Sequence, residues 1–150
     1  MIKRVRGFTL IELLIVIALI AILAGAIIIA LNPARQFAQA RNSQRWTHIN
    51  TIMNATQQNA ADNNGVFTCA AGALPATATL MQASGGYDIC GCLVPTFISS
   101  MPYDPSATGA GYTDCTTYTS GYTIMEDATT ERVTVAAPSA ELSETISITQ

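Results

Sequence analysis

An uninterrupted apolar run from Leu13 to Leu31 restricts the possible folds of this chain more than any other feature. Among its 19 residues only Gly25 falls outside the apolar class, and no side chain carries a charge. As an α-helix the run would be about 28 Å long, close to the roughly 30 Å hydrocarbon core of a bilayer. We therefore predict a membrane-spanning helix, and a purely cytosolic enzyme is not expected.

Charged residues are distributed unevenly around this run. Basic residues flank it on both sides: Lys3, Arg4 and Arg6 before it, and Arg35, Arg41 and Arg45 after it. From Trp46 onward there are nine acidic residues and one basic residue, Arg132. By the positive-inside rule, the N-terminal end lies in the cytoplasm and the part after the run lies outside. Because that part carries so few cations, no direct binding of nucleic acid is expected.

A cleaved secretory signal is the alternative interpretation of the basic start and the apolar run. The apolar part of such a signal usually has about 7 to 15 residues and is followed by small residues at the cleavage site. Here the run is longer, and Asn32-Pro33-Ala34-Arg35-Gln36 follows it. This pattern favours an anchor that is retained.

All four cysteines come after the apolar run, at Cys69, Cys90, Cys92 and Cys115. Cys90 and Cys92 are separated by one residue and would be strained if joined to each other. Each is therefore expected to pair with Cys69 or Cys115, in an order that the spacing leaves open. Free thiols and a metal site are the alternatives, but the chain's one histidine, His48, lies far upstream. Two disulfides would indicate an oxidising compartment.

The segment after Pro33 continues as a helical pattern. From Ala34 to Ala60 there is neither Gly nor Pro. Apolar and small residues recur at three-and-four spacing at Trp46, Ile49, Ile52, Met53, Thr56 and Ala60, and polar residues occupy the other face at Arg45, Asn50, Asn54, Gln57 and Gln58. We predict one long helix from about Thr9 to Ala61, with Gly25 and Pro33 as its weak points. It should end at Asp62-Asn63-Asn64-Gly65.

The remaining residues predict a small head with an antiparallel sheet. Alternation typical of strands occurs at Tyr122–Met125, Arg132–Ala136 and Thr145–Thr149, and one or two helical turns are expected near Ala76–Ala83. The fold class is therefore α+β, with a long N-terminal helix packed against a sheet of three or four strands. Disulfides would compensate for the small core of such a head.

Glu12 is an ionisable residue at the edge of the apolar run, in the sequence Gly7-Phe8-Thr9-Leu10-Ile11-Glu12. A charge at the centre of a membrane helix costs on the order of 2.5 to 3.5 kcal/mol, so Glu12 needs a partner. With the basic residues before Gly7 and the uncharged helix after Glu12, this stretch resembles the class III signal peptide of type IV pilins and pseudopilins. The resemblance continues in the helix-ending segment at Asp62–Gly65 and, more loosely, in the head segment Leu93–Pro105.

The resemblance implies processing and assembly roles for particular residues. In that family a membrane-embedded prepilin peptidase cuts after the glycine and the new amino terminus is methylated. Gly7 would then precede the cut, Phe8 would become the mature N-terminus, and Glu12 would be the acid used in subunit assembly. We expect Glu12 to pair with the amine of Phe8, either within its own subunit or in a neighbour. The implied organisation is a leader at 1–7, a transmembrane and filament-core helix at 8–33, an amphipathic helix at 34–61 and a disulfide-containing head at 62–150.

The implied function is that of a structural subunit of a type IV pilus-like filament. The precursor would span the cytoplasmic membrane once, with its head outside, and would then join an extracellular filament. The implied partners are identical or related subunits, the prepilin peptidase, the pilus assembly platform and the membrane itself. Because the cysteine pattern differs from the single C-terminal disulfide loop of well-known pilins, a type II secretion pseudopilin is an alternative. A non-polymerising membrane-anchored adhesin is another.

No pattern in the sequence favours catalysis. His48 is the one histidine and is interpreted as a residue on the helix surface, and no Gly-rich phosphate loop follows a strand. Asp104 and Asp114 bracket a Gly-rich loop and are interpreted as turn-forming acids, with calcium binding as the alternative. The tyrosines of the head are expected to be sheet and core residues: Tyr103, Tyr112, Tyr118 and Tyr122. No cofactor and no metal are predicted.

Overall fold

A computed structural model describes residues 7–30 and 32–150, and for Ile29 and Ala30 it describes the backbone alone. The predicted basic leader at residues 1–6 therefore lies outside the described residues. The chain divides into two compact units, the first ending at Phe37 and the second comprising Ala38–Gln150. The fold class is α+β, as the sequence predicts.

Helix α1, Leu10–Ala30, is the apolar helix predicted from the sequence. Its segment Leu10–Ile28 is long and apolar enough to cross a membrane. Every side chain from Leu10 to Ile28 is exposed within the chain. An apolar helix without intramolecular packing needs lipid or other protein around it.

Helix α2, Pro33–Asp62, follows α1 as a separate helix, so the prediction of one long helix was wrong. Asn32 has a left-handed backbone, with φ at 42°, and its Oδ1 accepts a hydrogen bond from the Arg35 N–H at 3.3 Å. Pro33 then occupies the first helical position, where its missing N–H is not needed. The pair Asn32-Pro33 therefore starts a new helix, since Asn tolerates the left-handed conformation and caps helix N-termini.

The amphipathic pattern of α2 is confirmed with one important exception. Ile49, Ile52, Met53 and Thr56 are buried. Arg45 was predicted on the polar face, but its side chain is fully buried. The predicted end of the helix is also confirmed, because α2 stops at Asp62 and the backbone turns left-handed at Asn64 and Gly65.

The head contains one antiparallel sheet. Its strands are β1 (Thr79–Gln82), β2 (Gly111–Asp114), β3 (Thr117–Glu126), β4 (Val133–Ala136) and β5 (Ser147–Thr149), and a short helix α3, Cys90–Leu93, lies between β1 and β2. The sheet order is β1-β3-β4-β5, and β2 pairs with the beginning of β3. Strands β3, β4 and β5 were predicted from their alternation.

Strand β1 lies where one or two helical turns were expected, so that prediction was wrong. Thr79 pairs with Ile124 and Leu80 with Thr123 across the β1–β3 ladder. Met81 is fully buried, and its carbonyl accepts a hydrogen bond from the Ser120 hydroxyl at 2.8 Å. Pairing with the central strand therefore overrides the local helical preference of the alanines around it.

The core of the second unit lies between α2 and the sheet. Helix α2 contributes Ile49, Ile52 and Met53, and the sheet contributes Met81, Tyr122, Ile124 and Val135. Tyr118 and Tyr122 are both buried in this core, which confirms the prediction for these two tyrosines.

Candidate processing and assembly site

The candidate site begins in the segment without regular secondary structure before α1. Residues 7–9 precede the helix, and Phe8 is 85% exposed. A Cβ added at Gly7 would meet no heavy atom of residues 7–30 and 32–150 within 4 Å, its chain neighbours aside. The peptide bond between Gly7 and Phe8 is therefore in an open segment of the described chain, and packing among the described residues does not itself require a glycine there.

Thr9 and Glu12 form a reciprocal cap at the start of α1. Glu12 Oε2 accepts hydrogen bonds from the Thr9 N–H at 2.8 Å and from the Thr9 hydroxyl at 2.7 Å. The Glu12 N–H donates in return to Thr9 Oγ1 at 3.3 Å. This is the capping box that Thr-x-x-Glu encodes at a helix N-terminus, a signal present in the sequence that our sequence analysis did not use.

The capping box gives the Glu12 carboxylate local partners within the first turn of α1. A negative charge at a helix N-terminus is also favoured by the helix dipole. Both residues of the box lie on the C-terminal side of the Gly7–Phe8 bond, so these contacts do not depend on any residue before Phe8. The structure brings Glu12 next to Thr9, whereas the sequence analysis considered Phe8 as its partner.

A second polar cluster, which the sequence did not reveal, lies in the head around Arg45. The Arg45 guanidinium contacts both Asp104 oxygens, at 2.7 and 3.1 Å, and Glu141 Oε2 at 2.9 Å. It also donates to Asn42 Oδ1 at 2.7 Å and to the Ser106 hydroxyl at 2.6 Å. These contacts fix two distant segments of the head to α2.

The ionisation of this cluster follows from its contacts. Burial opposes the charge of Asp104, but Arg45 and the N–H groups of Ser106 and Ala107 outweigh it, and the pKa of Asp104 lies below its usual value. Hydrogen bonds from Arg41 and Arg45 lower the pKa of Glu141 to about 2. The hydrogen bond to Asp104 raises the pKa of Arg45.

His48 is half-buried, so its interpretation as a helix-surface residue was wrong. Its Nδ1 lies 2.8 Å from the Tyr122 hydroxyl, and the two rings meet edge to face with centroids 5.9 Å apart. Burial lowers the pKa of His48. His48 therefore packs against the core beside the Arg45 cluster and has no nucleophile to activate in these contacts.

The four cysteines form two disulfides, Cys69–Cys92 and Cys90–Cys115. This is one of the two pairing orders that the sequence left open. Cys90 and Cys92 belong to α3, and Cys115 lies in the turn between β2 and β3. The bridges therefore fasten α3 to the segment after α2 and to the β2–β3 hairpin.

The two acids considered for calcium have protein partners. Asp104 faces Arg45, and Asp114 Oδ1 accepts hydrogen bonds from the Thr116 N–H at 2.8 Å and the Thr116 hydroxyl at 2.7 Å. Within residues 7–30 and 32–150, no group of three or more His, Cys, Asp or Glu side chains could hold a metal ion. Both aspartates stabilise turns.

Comparison with protein families identifies the N-terminal segment. Residues 2–28 match the model of the prokaryotic N-terminal methylation motif, the class III signal of type IV pilins and pseudopilins. The matched residues include Gly7, Phe8, Thr9 and Glu12 and nearly all of α1. No match was found among curated proteins or among solved structures. The motif is typical of structural pilin-like proteins, and with α1 it fits a membrane-anchored precursor.

Proposed function

We propose that this chain is the precursor of a structural subunit of a type IV pilus-like filament. The observation that carries the proposal is the N-terminal methylation motif on an apolar helix whose side chains are exposed from Leu10 to Ile28. In the precursor, lipid surrounds the apolar side chains of this helix. After assembly, identical helices packed side by side in a filament core surround them instead.

Processing after Gly7 is the first step of the proposed function. Because the fold leaves the Cβ position of Gly7 empty, the need for a small residue there comes from the peptidase that binds the segment. The cut frees the amine of Phe8, which is then methylated. Removal of the cationic leader also releases the helix from the charges that hold it at the cytoplasmic face.

Glu12 is proposed to set the axial register of assembly. In the filament its carboxylate pairs with the Phe8 amine of its own chain or of a neighbour. An unpaired charge in an apolar environment costs several kcal/mol, so a subunit that enters out of register is disfavoured.

Mass spectrometry of filaments sheared from cells tests this function. The main protein of the filaments should be this chain, beginning at a methylated Phe8. A mature chain that retains Met1, or that begins near Ala34, contradicts the proposal. A secretion defect without surface filaments would instead identify a type II secretion pseudopilin, and heads displayed on cells without filaments would identify an anchored adhesin.

A glycine variant separates processing from folding. Gly7→Val should abolish the cut while leaving the head folded, because Gly7 precedes α1 and a Cβ at this position meets none of the described residues within 4 Å. Gly111→Val is the matched control, since a Cβ at Gly111 also meets nothing within 4 Å and its backbone is not left-handed. Normal cleavage of the Gly7→Val chain would contradict the assigned cut.

A further inference from the structure

The head carries a groove with an apolar floor and an acidic rim, which we name the acidic groove. It has a volume of about 380 Å³ and adjoins a smaller cavity of about 200 Å³, with which it shares Gly65, Phe67, Glu126 and Glu131. Val66, which lines it, is 67% exposed. The groove therefore lies beside the segment that ends α2 and the connection between β3 and β4.

Two carboxylates of the acidic groove have no partner. Neither Glu126 nor Glu131 forms a side-chain hydrogen bond or an ion pair with any described residue. Asp127, on the same rim, is different because its Oδ1 accepts hydrogen bonds from the N–H groups of Thr129 and Thr130. Two unpaired carboxylates over an apolar floor favour the binding of a cation that also has an apolar part.

Among the four arginines in the described part of the chain, Arg35 is the one whose side chain lacks a partner. Arg41 and Arg45 pair with Glu141 and Asp104, and Arg132 contacts the Thr149 carbonyl at 3.5 Å. Arg35 is exposed near the start of α2. Arg35 lies near the start of α2, whereas the groove lies just after the end of that helix.

The chemistry of arginine suits this groove. Its methylene stem can cover Val66, its guanidinium can stack on the ring of Phe67, and its fork of N–H donors matches carboxylates. Arg35 is 27 residues before the end of α2, which is roughly 40 Å along a helix, and the groove lies just beyond that end, so a contact between them would join two copies. Unlike surfaces that meet in this way repeat from copy to copy, and they generate a helical filament where the rotation between copies does not close a ring.

We infer that Arg35 of one subunit docks into the acidic groove of a neighbouring subunit, between Glu126 and Glu131. The inference rests on the proposed filament function and names a contact between subunits outside the apolar core. The contact orients each head relative to the α2 helix of its neighbour. It adds charge complementarity to an assembly otherwise held by non-directional apolar packing.

A charge exchange tests the contact in sheared filaments. Arg35→Glu and Glu131→Arg should each lower the filament yield roughly tenfold, because each places like charges together at the contact. The double variant should restore most of the yield. Arg132→Glu and Asp62→Arg are matched controls, which change an exposed cation and an exposed acid outside the contact and should leave the yield near that of the wild type.

A cross-linking experiment identifies the partner directly. The one lysine of the sequence is Lys3, so a chain cut after Gly7 contains none. Arg35→Lys therefore introduces a unique side-chain amine that keeps the charge. Treatment of mixed light- and heavy-isotope filaments with a carbodiimide should join the introduced lysine to Glu126 or Glu131 in peptides that combine the two labels.

The outcomes separate this inference from the proposed function. If the wild-type chain forms no filaments, the proposed function fails and the inference fails with it. If wild-type filaments form but the double variant is no better than the single variants, the inference alone is overturned. Cross-links from the introduced lysine to other acids, or only within one chain, overturn it as well.

Discussion

At the scale of single residues, we expect the loss of the buried ion pair between Arg45 and Asp104 to lower the free energy of unfolding strongly. Both side chains are fully buried, and Arg45 also contacts the partly exposed carboxylate of Glu141. Removal of Asp104 leaves Arg45 with Glu141 as its remaining carboxylate partner, so we expect a cost near the lower end of the roughly 3–5 kcal/mol that is typical of a broken buried pair. We expect Asp104→Ala to lower the free energy of unfolding by that amount.

Urea unfolding of the full chain in detergent measures this loss. Trp46 is the one tryptophan, and from α2 its indole N–H donates to Glu144 of the head at 2.9 Å, so its fluorescence reports loss of the packing between α2 and the head. Asp62→Ala is the control, because Asp62 is exposed at the end of α2, and it should change stability by less than about 0.5 kcal/mol. A loss below 1 kcal/mol for Asp104→Ala would show that the pair is not important for stability.

Leu142 is held in a conformation that its residue type disfavours. Its φ is 59°, and its side chain is 49% exposed. The loop is fixed there by Asn42, which accepts from the Glu141 N–H at 3.0 Å and donates to the Glu141 carbonyl at 2.8 Å. A left-handed backbone costs a non-glycine residue about 1–2 kcal/mol, so the contacts of Asn42 outweigh local strain.

Leu142→Gly should therefore stabilise the head by about 0.5 kcal/mol, the strain relieved less the added flexibility of glycine in the unfolded chain. Leu142→Ala should give no such gain, because alanine keeps the Cβ that causes the strain. The same fluorescence-detected unfolding measures both variants. Lower stability for Leu142→Gly would mean that the leucine side chain contributes more than its exposure indicates.

Whether the environment of a residue could be predicted from sequence depends on how far along the chain its contacts lie. Ile49, Ile52 and Met53 were assigned to the core because their spacing alone defines a helix face. Arg45 was assigned to the polar face by the same rule, and His48 was interpreted as a helix-surface residue because no partner for catalysis was found for it. Their partners, Asp104 and Tyr122, lie 59 and 74 residues further on, so no local pattern reveals that the polar side chains are satisfied in the interior.

At the scale of secondary-structure elements, sequence predicted the strands that alternate and missed those that do not. Strands β4 and β5 have four and three residues and were predicted from their alternation, whereas β1 and β2, with four residues each, lack a clear alternation. Without alternation, four residues do not distinguish a strand from a helical turn, and pairing with β3 decides the outcome. The break between α1 and α2 was foreseen as a weak point at Pro33, but the left-handed Asn32 that starts α2 was not.

The two disulfides should contribute comparable stability, because they close loops of similar length. The bonded residues are 23 and 25 positions apart, for which chain entropy gives about 3.5 kcal/mol each. Replacing either pair with alanine should lower the free energy of unfolding by about that amount. The Cys90–Cys115 replacement should cost more, since Cys90 is fully buried in the core.

Unfolding of the two double-alanine chains in urea, compared with the untreated and the reduced wild type, checks this prediction. Reduction of both bridges should cost at least as much as either replacement. A double-alanine chain as stable as the wild type would show that its bridge does not stabilise the head.

At the scale of the whole molecule, the two units differ in whether their side chains find partners within the chain. The head satisfies its own buried polar side chains, with none left unpaired among the residues that the structure describes. Helix α1 buries none of its apolar span within the chain. This contrast was readable from sequence, because it depends on composition over some twenty residues and not on long-range contacts.

The N-terminal site could be predicted only in part, because composition alone does not determine the contacts of its residues. The positions of Gly7, Phe8 and Glu12 follow from the motif, but the bonding of Glu12 depends on the state of the N-terminus. In the unprocessed chain, the Glu12 carboxylate accepts hydrogen bonds from the N–H and the hydroxyl of Thr9. After the proposed cut, the new amine of Phe8 would compete for the same carboxylate, so we propose two roles for Glu12, as a helix cap and as a charge partner.

Substitutions at Glu12 separate these two roles. Glutamine can keep a capping box but carries no charge, whereas alanine removes both. We expect Glu12→Ala to insert and be cleaved normally and to form few filaments, and we expect Glu12→Gln to restore them only in part. Thr9→Val removes the hydroxyl of the box and keeps the charge of Glu12, so it should assemble better than either Glu12 variant.

Quantitative immunoblotting of sheared filaments against total cleaved protein measures all three variants on one scale. The order of filament yield should be Thr9→Val, then Glu12→Gln, then Glu12→Ala, because charge pairing with the Phe8 amine contributes more to register than the cap does. If Glu12→Gln assembles as well as the wild type while Thr9→Val fails, the cap is the essential feature. Normal filaments from Glu12→Ala, at normal expression and cleavage, would show that the carboxylate has neither role.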